Sequence, residues 1–224
     1  MTVETTPLIR TRNQGLLDLT PRFTNRSLRQ QLYEAHKSDS SLREVPSSRV
    51  FIQAYQDIFG NKLVGEDGNH LTSEETNQLV ELVSNYWVRF NTGFMPSKGR
   101  SKGFLGLDVV TYKVVQASEV DEFDDIEQTL ILKILSREPL EECVTETGKL
   151  VELSSLNRQG LPTTVSKVQQ FKRNENLIFY PPVEGRIARL LAGSVGVGFS
   201  CDGDPAGSNA GFGVPTYATG TKNS

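Results

Sequence analysis

"LDVVTYKVVQ", residues 107–116, is the stretch on which the fold class turns. Val109, Val110, Val114 and Val115 crowd this run together with Thr111 and Tyr112, the β-branched and aromatic composition that packs well on a pleated surface. Upstream, the apolar residues recur at helical spacing instead. A chain with helices before such a switch and strands after it belongs to the α+β class. Three further short strands are expected, in "QTLILKILS" (128–136), "KLVELSSL" (149–156) and "NLIFYPP" (176–182). Helix stays open for 127–137, because Leu130, Ile131, Ile134 and Leu135 also fit a helical stripe. "PPVEGRIARLLAG" (181–193) reads as a last short helix, started near Pro182 and stopped at Gly193, with Ile187, Leu190 and Leu191 inward.

Toward the N-terminus, "SSRVFIQAYQDIFG" (47–60) sets Val50, Phe51, Ala54, Tyr55 and Ile58 on one helical face and closes on Gly60, a natural left-handed terminator. "TSEETNQLVELVSNYWVRF" (72–90) opens with Thr72 or Ser73 as cap and acids in the first turn. It then repeats Leu79, Val80, Leu82, Val83, Tyr86, Trp87 and Phe90, which predicts one long helix with Trp87 as a core anchor. Before these, "SLRQQLYEAHK" forms at most a short helix after Ser27, with Leu28, Leu32 and Tyr33 on one side. The rest of 1–46 is polar and broken by Pro7, Pro21 and Pro46.

The expected organisation is therefore a single compact α+β core over 47–192, with two to three helices packed on a small, mostly antiparallel sheet. Extended arms flank it, 1–46 before and 193–224 after. The second arm carries eight Gly in 32 residues, so it is expected to be loose alone and to become ordered along a neighbouring copy. Phe199, Phe212 and Tyr217 are its candidate anchors, helped by Val195, Val197 and Val214. No repeat of 20 to 50 residues is present, so a solenoid is not indicated.

Composition excludes several classes. With 37% hydrophobic and 23% charged residues and a net charge of −3, the chain is neither collagen-like, wholly disordered nor a polycation for nucleic acid. No run of about 18 apolar residues occurs, and "MTVETTPLIRTRNQG" lacks the order of a signal peptide, so a soluble protein of a cytoplasm is expected. Two cysteines, Cys143 and Cys201, are too few for a disulfide framework. His36 and His70, the two histidines, lie in polar stretches and read as surface residues.

Two charged stretches stand out. "SKGRSKG" (97–103) alternates Lys98, Arg100 and Lys102 with small residues and suits a polyanion or an acidic protein, the bland reading being a solvated, mobile loop. It lacks the order of a phosphate-binding Walker loop. "EVDEFDDIE" (119–127) gathers Glu119, Asp121, Glu122, Asp124, Asp125 and Glu127 with no base among them. It lacks calcium-loop spacing, and reads either as a solvated loop or as a docking surface for a basic segment, in particular the Arg-bearing N-terminal arm of another copy. "GSVGVG" (193–198) has the wrong order for a dinucleotide loop, "GFSCDG" is no nucleophile elbow, and "GEDGNHLTSEE" fits a capped turn better than a calcium loop.

With no nucleophile, base, metal cluster or cofactor loop to assign, no enzyme, cofactor or metal is expected. The reading that absorbs most is a structural subunit of a large assembly, with virus or phage particles (neck, connector, tail or capsid-associated components) as the leading class. Its partners would be copies of itself and other assembly subunits, without a membrane, in a virion or host cytoplasm. The alternatives are a nucleic-acid-associated protein using the Lys98, Arg100 and Lys102 loop, and a linker protein of a cellular complex.

Overall fold

A computed structural model describes residues 7–10, 16–22, 28, 30–32, 45–60, 62–85, 87–99, 101–116, 130–173, 175–193, 196–207 and 212–217. The first helix, α1 (Ser48–Phe59), buries Phe51, Ile52, Ala54, Tyr55 and Ile58, as the 3.6-residue spacing requires. Its first turn is capped from outside: the Ser48 N–H donates to Thr92 Oγ1 at 2.9 Å, and Ser47 makes no side-chain cap bond. Gly60 ends α1 in a right-handed conformation (φ −84°, ψ 0°) rather than the expected left-handed one.

The second helix, α2 (Ser73–Asn85), starts in a capping box. Thr72 Oγ1 accepts from the Glu75 N–H at 3.2 Å, while Glu75 Oε2 accepts from the Thr72 N–H at 2.8 Å. These bonds hold the Glu75 carboxyl below its usual range. The expected helix over 72–90 is too long. After Asn85 the chain turns into a strand, because Val88, Phe90 and Phe94 fill the core on a sheet better than they would continue a helical stripe. Trp87 sits half-buried at the start of that strand and is not among the core residues.

Among the described residues ten strands join in one sheet: β1 (Ile9–Arg10), β2 (Leu16–Arg22), β3 (Trp87–Pro96), β4 (Leu107–Gln116), β5 (Leu130–Pro139), β6 (Lys149–Glu152), β7 (Asn176–Tyr180), β8 (Ile187–Gly193), β9 (Gly196–Gly203) and β10 (Phe212–Tyr217). The main path runs β1-β2-β10-β3-β8-β9-β7-β6, and β4 branches off β3 to pair with β5. Pairings are antiparallel except β10 with β3 and β7 with β9. The protein is thus mixed helix and sheet, but the sheet is large where a small one was expected. α1 packs on β3, and α2 packs on β2, β8 and α1. The alternative helix over 127–137 gives way to β5, whose partner β4 needs its backbone groups.

Two further expectations fail at the C-terminal end. Residues 187–193 form β8, not a helix, because Ile187, Ala188 and Leu190 are all buried between β3 and β9. Gly185, at φ +72°, makes the tight turn that feeds it. The region 193–224 is not wholly an arm lying outside the core: β9 brings Val197, Phe199 and Cys201 into it. Phe199 is fully buried and stacks against Phe90 and Phe179, with ring centroids 6.4 and 5.7 Å apart. At the other end Ile9, Leu17 and Leu19 belong to the same core cluster, so part of 1–46 is sheet as well. Leu28 and Leu32 are helical and buried, as the short-helix reading expected of them; Ser27 and Tyr33 lie outside the described residues.

Candidate functional site

The connection from β3 to β4, residues 97–106, is built on a buried carboxylate. Asp108 accepts from Ser97 Oγ at 2.8 Å, from the Lys98 N–H at 3.2 Å and from Arg137 at 3.2 Å. Ser97 in turn accepts from the Gly103 N–H at 2.9 Å, and the Phe104 N–H donates to Leu140 O at 2.7 Å. Gly103 is required here, since a Cβ would lie 1.8 Å from Leu107 O. The base of the loop is therefore held by side-chain and backbone hydrogen bonds.

On this base Lys98 and Lys102 stand exposed, and Arg100 lies outside the described residues. Leu105 is 51% exposed and takes φ +57°, the single positive φ among the described non-glycine residues. A branched apolar side chain in the left-handed region is disfavoured in both backbone and solvent terms.

The acidic residues Glu119, Asp121, Glu122, Asp124, Asp125 and Glu127 lie outside the described residues. Their flanks do not: Gln116 of β4 pairs with Leu130 of β5. The basic loop precedes Leu107 and the acidic run follows Gln116, so β4 carries one at each end.

The C-terminal anchor candidates are placed otherwise than expected. Phe199 is core, as above, and cannot insert into a neighbour. Phe212 and Tyr217 lie on β10, where their backbones pair with Trp87 and Leu17 of this same chain. The hydrogen-bonding capacity of β10 is thus directed to this chain's own sheet.

A polar cluster that sequence reasoning missed crosses the sheet. Arg89 of β3 is 1% exposed and pairs in register with Arg189 of β8. Arg189 donates to Ser200 at 3.0 Å and lies 3.4 Å from Asp202, while Arg186 lies 3.8 Å from Asp204. Burial, and then Arg189, push Arg89 down to about 10, against the pull of Asp204. Arginines in strand-like stretches carry no local sequence signal, so only the register reveals the pair. Its bonds tie β8 to β9 through Arg189, Ser200 and Asp202, with Arg89 of β3 in register beside Arg189.

Burial raises both thiols, Cys143 to about 11 and Cys201 well above its usual value. His70 is exposed, and His36 lies outside the described residues. Asp67 accepts from the Asn69 N–H at 2.9 Å, the capped turn read from "GEDGNH". Among the described residues no group of three or more His, Cys, Asp or Glu could hold a metal ion, and no helix is long and apolar enough to cross a membrane. No known family matches the chain, and neither does any curated protein or solved structure.

Proposed function

We propose that this protein is a non-enzymatic structural subunit of a multi-subunit assembly, of the kind that builds a virus or phage particle as a neck, connector, tail or capsid-associated component. It would act in a virion or a host cytoplasm. The observation that carries the reading is the opposite charge at the two ends of β4, basic before Leu107 and acidic after Gln116. Two stretches of opposite charge at the two ends of one strand suit a head-to-tail contact between copies, which closes into a ring or extends into a filament. The contact is thus assigned to the β4–β5 ribbon rather than to the terminal arms.

Native mass measurement tests this. Replacing Lys98, Arg100 and Lys102 by Glu should shift the distribution toward monomer, more at 50 mM than at 500 mM salt, because exposed charges act within a Debye length of about 10 Å at 0.1 M. Reversing Glu119, Asp121, Glu122, Asp124 and Asp125 to Lys in the same chain should restore association. A wild-type chain that stays monomeric at all concentrations would remove the proposal. Loss of DNA or RNA binding on the first change, with mass unaltered, would install the nucleic-acid reading instead.

A further inference from the structure

We infer that the gap between β2 and β3 is a receptor for strand β10 of a second copy, so that copies exchange this strand. The contact is separate from the charged ends of β4 and stands on the sheet order alone. β10 fills the gap here, antiparallel to β2 and parallel to β3. It links β1 and β2 to the rest of the sheet, since among the described residues β2 pairs with β1 and β10 and with no other strand. Both walls of the gap are held from elsewhere. Leu17 and Leu19 of β2 and Val88 and Phe90 of β3 are buried in one core, and α2 packs on β2.

The route into the gap favours the second copy. β8 runs antiparallel to β3 and β9 antiparallel to β8, so β9 and β10 point the same way with β8 and β3 between them. A connection between parallel strands ordinarily takes about a dozen residues or more, because the chain must return along the sheet before it enters the next strand. Eight residues, 204–211, separate β9 from β10, with two strands to pass. The first of them have partners already: the Leu28 N–H donates to Pro205 O at 3.0 Å, and Asp204 accepts from the Ala206 N–H at 2.9 Å. The hold of β10 on β3 is slight, two register pairs, Phe212 with Trp87 and Gly213 with Val88. A strand held by few pairs on a short connection exchanges readily, and a neighbour's β10 brings the same backbone bonds to the same seat.

The test uses two full-length chains, one with Arg22→Cys and one with Val214→Cys, because these positions are Cα partners across β2 and β10. Cys143 and Cys201 are buried and do not compete. Mixed at high concentration and oxidised, the two chains should form a disulfide-linked dimer of one with the other, seen by non-reducing electrophoresis and mass. A Gly-Ser insertion after Gly207 that lengthens the connection to about fourteen residues should lower the yield of mixed dimer about five-fold, because each chain then fills its own gap. A yield unchanged by the insertion would overturn the role of the short connection. A dimer formed as readily by either chain alone would be a collision product and would overturn the exchange. So would the absence of mixed dimer when a chain carrying both substitutions closes its own disulfide. A doubly substituted chain that links neither within itself nor to another would overturn the seat of β10, and the inference with it.

Discussion

Asp108 is a carboxylate nearly withdrawn from water, with 3% of its side chain exposed, and its partners decide whether it supports the loop or undermines it. Arg137, Ser97 Oγ and the Lys98 N–H together satisfy it. Removing one partner leaves a buried charge short of compensation, whereas removing charge and partner together is far milder. Arg137→Met should therefore lower stability by about 2 kcal/mol, less than a wholly buried pair because Arg137 keeps 21% exposure. Adding Asp108→Asn should recover part of that loss. Urea unfolding of the two variants checks it, and equal midpoints for Arg137→Met and the parent would show that Ser97 and the backbone suffice. Only half of this site was readable in advance. The cations announced themselves by spacing, but neither the carboxylate eleven residues from Ser97 nor the left-handed Leu105 has a local signature.

At the scale of elements, the aromatic ladder from Phe51 through Phe90 and Phe199 to Phe179 ties α1 to β3, β9 and β7. Phe199 stands inside it, so Phe199→Ala should destabilise the protein by about 3 to 5 kcal/mol. Truncation before Gly196 should abolish cooperative thermal unfolding, because it removes the strand between β8 and β7. A truncated chain with a sharp transition near the parent midpoint would contradict the placement of β9. Elements with a regular local pattern were legible: α1, the start of α2, β4, β6 and β7, while β5 fitted a helical stripe equally well. Those that failed share a cause. β3 and β8 are buried on both faces and lose the alternation that marks a half-buried strand, so their apolar residues also satisfy helical spacing. In β9 the glycines lowered the apparent order of the segment, although Gly203 leaves room for Arg189, whose Cδ would lie 2.9 Å from a Cβ there.

Across the whole molecule, three buried acids of weak strength set an alkaline limit. Burial raises Cys143 from 9.0 to about 11, and raises Cys201 and Tyr55 as well. The folded state holds all three neutral while the unfolded chain ionises at the ordinary values. Stability from the thiols is thus complete below about pH 9 and falls as pH rises toward 11 and beyond. The thermal midpoint should be level in that respect up to about pH 9 and then decline, and a midpoint unchanged at pH 11 would mean that these groups reach water. The sheet order carries a different consequence, for the time course of folding. Thr216 pairs with Asp18 across about two hundred residues, and β8 joins β3 across about a hundred. Neighbours so distant along the chain form late, since each encounter must first close a long loop, and the high contact order places this protein among slow folders. Until β10 reaches its place, β2 and β3 present open edges, so the interval between synthesis and closure is when the chain is most exposed to aggregation.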